Sequence, residues 1–463
     1  MKVIYQIGRF DSGAFSQINF KINEKIYSAS LSSFALRDYF KDSQSEAKVI
    51  LLYPVSLLLN KQAVANLEKQ KLNSQEQEFK AIVEELLKDS TKKEDFLKNP
   101  KEYFSKHPHS LIADDFCIIH SLGEYEGIKF ETSLEELILE IFSDMVFRYL
   151  DKPFNRLYID ISSGHNIYVS ALIEAGRLFL TYYKLQNFLP ESDPLRVYII
   201  FSDPVISPYN RVFEIHKEFS LEVKTFFSFP ERPKETNLDL DTAFSPFAKE
   251  LAEGDKQLKK FFNKLFSNAY LFYSAIKNNT PLVLYTFEYD DEKEIEKGIR
   301  VLLNKIQTKL CENYQKTPGI NFNDFRKAIL MLSIYKGIVK ILKNKEINVK
   351  DEVSLSELNQ KFRDESLTIY KYFDLMPNRT YLGHEISNNF EKKEIKEKIT
   401  SEYKLLKEYL PGEGNGMILR NFLAHCGFER NCLEVKREGE EIWLRYKNDI
   451  EIKKKIIKFL LEA

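Results

Sequence analysis

Five short apolar runs, Val3 to Ile7, Val49 to Tyr53, Phe116 to Ile119, Leu157 to Ile161 and Val197 to Phe201, constrain the first half of this chain more than any other feature. Their length and flanks are those of strands buried on both faces, which is how strands of a parallel sheet read. Helix-prone segments lie between them. The expected architecture is therefore α/β first, a Rossmann-like parallel sheet, followed by a mostly α second half.

The sheet carries additions. Asn23-Glu24 separates two alternating runs, Gln17 to Ile22 and Lys25 to Ser30, and predicts a hairpin after the first strand. Residues 61–107 are charged and helix-prone, predicting a helical insertion with no site in it. Val212 to Phe227 alternates like a strand, and Phe229-Pro230-Glu231-Arg232-Pro233 then breaks the chain, so the domain boundary is expected near 230. Beyond it, Phe247 to Lys277, Glu292 to Gln315, Phe322 to Leu342 and Glu391 to Leu410 carry helical periodicity. Cys432 to Lys436 and Ile442 to Tyr446 predict a small hairpin before a terminal helix. A chain of 463 residues exceeds one ordinary core, consistent with two domains, 1–229 and 230–463.

The run Leu157-Tyr158-Ile159-Asp160-Ile161 breaks into Ser162-Ser163-Gly164-His165-Asn166 and then into a helix-like segment, Ile167 to Leu180. A strand, a tight turn and a helix N-terminus expose backbone N–H groups that favour anions. In open α/β sheets, ligands sit beyond the carboxyl ends of the strands. The first strand ends in Gly8-Arg9-Phe10-Asp11-Ser12-Gly13, which brings Arg9 toward the same rim, and Tyr53-Pro54-Val55-Ser56 and Leu122-Gly123-Glu124 are candidates to complete it. The plainer account is that Ser162 and Ser163 cap a helix and Gly164 eases a turn.

Near the C-terminus stands Arg420-Asn421-Phe422-Leu423-Ala424-His425-Cys426-Gly427. A guanidinium is permanently cationic and forks onto phosphate oxygens, and an imidazole carries a proton either way near neutral pH. RNA supplies its own nucleophile in the 2'-hydroxyl, so this pair needs no metal to cut a phosphodiester. Along a helix, five residues turn through about 500° and rise about 7.5 Å, so Arg420 and His425 lie on adjacent faces. A tight site then calls for the same pair from a second copy. Gly427 is expected to end the helix as a left-handed cap, with His425 in the last turn near the negative dipole end. Pro411 to Gly416, glycine-dense in a glycine-poor chain, predicts a connector or flexible loop before this helix.

The octapeptide resembles the signature of HEPN ribonucleases, and Asp160, Ser162, Gly164 and Asn166 resemble the ligand loop of CARF domains. Their order, sensor first and nuclease last, is similar to that of the CRISPR-associated CARF–HEPN ribonucleases of type III antiviral defence. By that resemblance Arg420 and His425 are the catalytic pair and Asn421 an accessory polar residue, in a composite site of a homodimer or a multiple of dimers. The resemblance also implies that Gly8, Arg9, Phe10, Asp11, Ser162, Ser163, Gly164, His165 and Asn166 contact a cyclic oligoadenylate activator, with tetra-adenylate the expected ring, and that the substrate is single-stranded RNA. The family's sensor loop often carries Thr-His before the glycine. Here Ser162-Ser163 precedes Gly164 and His165 follows it.

Composition bounds the alternatives. Sixty-eight basic residues against 69 acidic ones argue against a constitutive nucleic-acid coat, so RNA contact must be local. Lys436, Arg437, Arg445, Lys447 and Lys453 to Lys455 are the candidate basic surface. The four cysteines are scattered, and Cys426 and Cys432 beside His425 lack the second close pair of a structural zinc site, so neither metal nor further cofactor is expected. No charged leader and no long apolar run stand in the sequence, which predicts cytoplasmic residence without a membrane partner. The competing reading is a CARF-type nucleotide-sensing regulator that binds nucleic acid without cleaving it.

Overall fold

The structure, a computed structural model, describes residues 1–11, 13–67, 71–204, 212–234, 239–410 and 416–463, with the side chains of 218 and 219 outside the description. The chain divides into two compact units. The first holds residues 1–183, 191–224 and 303–323, and the second holds 184–190, 225–302 and 324–463.

In the first unit the five apolar runs form five parallel strands: β1 (Lys2–Ile7), β4 (Ala47–Pro54), β5 (Asp115–Ile119), β8 (Arg156–Asp160) and β9 (Arg196–Ser202). The expected hairpin is β2 (Ile18–Ile22) with β3 (Lys25–Ala29), turning at Asn23, whose φ is 53°. It joins the sheet through β10 (Val212–Ser220), giving the order β3-β2-β10-β9-β8-β1-β4-β5. β10 runs antiparallel to β9, so the sheet is mixed at that edge. A separate hairpin, β6 (Leu122–Tyr125) with β7 (Ile128–Glu131), follows β5, so Leu122 to Glu124 opens a new strand rather than ending one.

Side chains alternate across this sheet. Ile4, Val49, Leu51, Tyr53, Tyr158 and Ile200 pack into one core with Phe34, Ala35 and Phe40 of the helix Ser32–Asp42 and with the insertion's Phe79, Phe96 and Phe104. On the other face, Tyr5 donates to Asp144 of the helix Leu134–Asp151 at 2.7 Å. Helices on both faces explain why the strands carry so few polar residues. The insertion itself is a chain of helices from Lys61 to Ile112, as expected.

Further expectations fail. The strand proposed for Val212 to Phe227 stops at Ser220, because its partner β9 begins at Arg196 and the ladder ends with Leu221 N–H on Val197 O at 2.7 Å. The helix proposed for Glu391 to Leu410 is absent: one turn, Lys393–Lys396, gives way to β12 (Lys404–Leu405), which pairs with Glu434 and Val435. Ladder bonds from a distant strand outweigh local helix propensity there.

The second unit is otherwise helical, with Lys256–Lys277 and residues 324–344 among its longest helical stretches. The Phe247 to Lys277 segment is split at Glu253-Gly254, both left-handed (φ 49° and 94°), and Asp255 caps the second helix through the N–H groups of Gln257 and Leu258. A small sheet of order β11-β14-β13-β12 contains β11 (Val353–Ser354) and the expected hairpin, β13 (Leu433–Glu438) with β14 (Glu441–Tyr446), before the terminal helix Ile450–Glu462. Among the described residues no helix is long and apolar enough to cross a membrane.

Within the first unit, residues 303–323 are tied to the rest by a buried histidine that also pairs with a carboxylate. His120 Nδ1 lies 3.1 Å from Glu140 Oε1, and its Nε2 lies 3.3 Å from Asn313 O, with the Tyr314 ring 4.8 Å away. Both partners being acceptors, each ring nitrogen donates. Burial opposes the charged ring, but the Glu140 carboxylate outweighs it and holds the His120 pKa above its ordinary value. A raised folded-state pKa contributes stability that is complete below the unfolded value of about 6.5 and is lost as pH rises through the folded one. Urea unfolding of wild type and Glu140→Gln across that range should show the wild-type advantage, about 3–5 kcal/mol at acid pH, shrinking as the solution becomes alkaline. A pH-independent difference would refute the assignment.

Candidate functional site

Strand order reverses between β1 and β8: the chain proceeds outward through β4 and β5 on one side, then returns to β8 and β9 on the other. A crevice forms at such a reversal, beyond the strand ends. There the loop after β1 and the turn after β8 line one cavity of about 240 Å³, to which Gly8, Arg9, Phe10, Asp11, Gly164 and His165 all contribute. Ser162, Ser163 and Asn166 do not line it.

The two serines hold the turn instead. Buried Asp160 accepts from Ser162 N–H at 2.9 Å, Ser162 Oγ at 2.5 Å and Ser32 Oγ at 2.7 Å. Burial raises the Asp160 pKa, with the serine bonds partly opposing it. Ser162 Oγ accepts from Ser202 N–H at 2.8 Å, and Ser163 Oγ donates to Ile7 O at 2.7 Å while accepting from Gln6 Nε2 at 3.0 Å. The turn is thereby stitched to β1, β9 and the helix Ser32–Asp42. Asn166 is exposed at the first position of the helix Asn166–Gln186, and His165 immediately before it is exposed too.

The two glycines are demanded by space. A Cβ on Gly8 would lie 2.2 Å from Tyr53 Cε1, and one on Gly164 would lie 2.7 Å from Ile7 Cβ, with φ at +103° besides. Arg9 is held by Asp11 at 2.8 Å and 3.2 Å. Phe10 faces inward, 2% exposed, against Phe15, Phe79 and His107. His107 comes from the insertion. Its Nδ1 accepts from His109 N–H at 3.1 Å, which leaves Nε2 to donate to Arg9 O at 3.1 Å. Burial and the neighbouring His109 push its pKa well down, so the ring is neutral. The insertion, from which no site residue was expected, therefore supports the loop. Ser56, Asn60, Tyr125 and Tyr168 complete the wall. Of these, Ser56 stood in a rim segment and Tyr168 in the helix expected after the turn, whereas Asn60 and Tyr125 lie in no segment singled out from the sequence.

In the second unit the C-terminal octapeptide forms the short helix Leu419–Ala424, closed by His425. The predicted cap is corrected by one residue. Cys426 takes the left-handed position (φ 53°), and Gly427 follows it (φ 77°). Gly427 N–H reaches Phe422 O at 2.8 Å and Cys426 N–H reaches Leu423 O at 3.3 Å, the two bonds of a Schellman ending. The buried Cys426 thiol accepts from Asn279 Nδ2 at 3.1 Å, which ties the residue into that conformation. Burial, then the charge of Glu385, push its pKa up to about 12, so it is no nucleophile at neutral pH.

Arg420 is exposed, and its side chain has no hydrogen bond or ion pair with another described residue. Asn421 is half-buried, its carbonyl accepting from His425 N–H at 3.1 Å. His425 is 48% exposed at its side chain, with Nδ1 3.1 Å from Glu385 Oε2. A carboxylate on Nδ1 places the proton there and leaves Nε2 toward solvent, the ordinary way a working imidazole is oriented. Glu385 comes from the helix Met376–Ile386, 40 residues away in sequence, and no local spacing announces it.

The expected basic surface is largely neutralised. Lys436 pairs with Glu352 and Glu438, Arg437 with Glu440, Arg445 with Glu434 and Lys447 with Asp449. Among the described residues no group of three or more His, Cys, Asp or Glu side chains is placed to hold a metal ion. The segment 411–415 before the helix lies outside the described residues.

Comparison with known proteins covers both regions. Residues 2–204 match the family described as "CRISPR system endoribonuclease Csx1, CARF domain", and residues 375–448 match "CRISPR system endoribonuclease Csx1, HEPN domain". A similar protein is the CRISPR system endoribonuclease Csx1 of Methanocaldococcus jannaschii, 26% identical over 316 residues. That alignment covers 60% of this chain and 62% of the relative.

Proposed function

The chain belongs to the CRISPR-associated CARF–HEPN family, and from that premise we propose that it is a cyclic-oligoadenylate-activated endoribonuclease that cuts single-stranded RNA without a metal. Residues 1–229 take the sensing role and 230–463 the cutting role. The observation that carries the reading is the pairing, on one short helix, of an exposed Arg420 whose side chain has no partner among the described residues with an exposed His425 whose Nδ1 is held by Glu385.

In this reading the 2'-oxygen attacks its own phosphate, and the 5'-oxygen leaves. Arg420 balances the charge that gathers on the phosphate oxygens, where a preorganised donor is worth most. His425 Nε2, unprotonated while Glu385 holds the ring proton on Nδ1, takes the 2'-hydroxyl proton as that oxygen attacks, and the imidazolium so formed gives it from Nε2 to the leaving 5'-oxygen. A cyclic phosphate and a free 5'-hydroxyl result. A second copy of the helix, facing the first in a dimer, completes the pocket that one exposed helix cannot close. In the sensor, the backbone N–H groups after Gly164 and the Arg9 side chain take the activator's phosphates, Arg9 exchanging Asp11 for them.

The test uses labelled single-stranded RNA, excess chelator, and cyclic tetra-adenylate added or withheld. Cutting that requires the activator and survives the chelator is expected. Binding of RNA without any cutting would favour the regulator reading instead.

A further inference from the structure

We propose that the cavity beside His425 is a nucleobase subsite, and that it takes a base with an exocyclic amino group, adenine, cytosine or guanine, in preference to uracil. The inference rests on the reading of the Arg420–His425 helix given above and adds a determinant of which RNA bonds are cut. The cavity measures about 220 Å³ and lies wholly within the second unit. That is below the roughly 300–1,000 Å³ of a site for a drug-sized molecule, so it suits one planar ring and not a whole nucleotide.

Its position ties it to the scissile bond. Leu423 and Ala424, from the same helix as Arg420, form an apolar wall, and the carboxylate of Glu385, which holds His425 Nδ1, adds a polar one. A base seated there belongs to a nucleotide flanking the phosphate between Arg420 and His425. Tyr381, 66% exposed, lies at the rim, and its hydroxyl carries no hydrogen bond to another described residue. An aromatic ring left in water beside a polar cleft is the usual stacking platform for an unpaired base.

The polarity of the wall gives the preference. Asn378 Nδ2 donates to the carbonyls of Ile276 and Lys277 at 3.0 Å and 3.2 Å. Carbonyls can only accept, so the amide orientation is settled and Asn378 Oδ1 is left as an acceptor. Asn278 Nδ2 donates to Ser274 Oγ at 2.9 Å, leaving its Oδ1 likewise without a donor among the described residues. Glu385 adds Oε1, since His425 and Asn389 both use Oε2. The Lys277 ammonium and the His384 ring also line the cavity, but the three acceptor oxygens outnumber them and call for a donor on the ligand. The exocyclic amines of adenine, cytosine and guanine supply two N–H bonds each, whereas uracil presents carbonyl oxygens around one N–H.

The experiment is cleavage of a pool of randomised single-stranded RNA by the full chain with cyclic tetra-adenylate, read by sequencing the cut ends. Amino-bearing bases should be enriched over uridine at one position next to the cut. Tyr381→Ala should flatten that enrichment and lower kcat/KM on a preferred substrate by about 5- to 150-fold, the range for loss of one stacked base. Tyr381→Phe, which keeps the ring, should restore the enrichment. The exposed side chain makes folding of both variants checkable by an unchanged melting curve. Cutting that needs His425 but shows no positional preference, prefers uridine, or ignores Tyr381→Ala overturns this inference alone. Absence of cutting by the wild type, or cutting that persists in His425→Ala, removes the catalytic reading and this inference with it.

Discussion

RNA cleavage by His425→Ala should fall on the order of 10²–10⁴-fold, the contribution of a positioned general acid, while the protein's thermal unfolding stays where it was. Arg420→Ala should cost about 10²–10³-fold, by loss of a charge-matched donor. Neither side chain supports the fold: Arg420 has no partner among the described residues, and His425 is half exposed with a single carboxylate contact. Exposed substitutions of this kind usually change stability by less than about 0.5 kcal/mol. Activity and stability therefore separate, and single-turnover cleavage beside a melting curve checks both. Because the two act on one transition state, the double variant should be little worse than the weaker single one. Glu385→Gln should be milder, slowing cutting rather than abolishing it, since it alters how the ring is held. If either alanine variant cuts at the wild-type rate, the octapeptide is not the site.

The second large effect is expected in the sensor. Gly164→Ala must place a methyl group 2.7 Å from Ile7 Cβ and Cγ2, on a backbone whose φ is +103°. The backbone conformation costs about 1–3 kcal/mol for a residue other than glycine, and forcing β1 aside adds a similar overpacking term. Roughly 3 kcal/mol or more should disappear from the unfolding free energy. Activator binding should be lost as well, because the turn and the end of β1 meet at that contact. Denaturant unfolding and calorimetric titration with cyclic tetra-adenylate measure the two. A variant as stable as the wild type would mean that the turn does not sit against Ile7.

How much of this was legible in the sequence depends on the range of the interaction concerned. The five central strands, the Asn23 hairpin and the helix N-terminus after Gly164 are written in adjacent residues, and the structure carries them where the apolar runs stand. Lys404 and Leu405 read as helix because nothing near them reveals that Glu434 and Val435 will pair with them. The same applies to Glu385, which meets His425 from 40 positions away and shares no spacing with it. Cys426 ahead of Gly427 in the left-handed closing turn is a case of tertiary contact overruling a reasonable preference, since Asn279 reaches the thiol from the turn that follows the helix Lys256–Lys277. The basic residues after the octapeptide show the reverse error: charges that look available along the chain are spent on carboxylates folded beside them.

The histidine that the insertion lends to the loop after β1 has a practical corollary. Anyone shortening this chain into a minimal biosensor would first delete residues 61–107, a polar helical excursion that looks dispensable on paper. Doing so takes away the imidazole that pins the Arg9 carbonyl and the aromatic bed beneath Phe10. The trimmed chain would keep every residue of the loop after β1 and still lose that loop's shape.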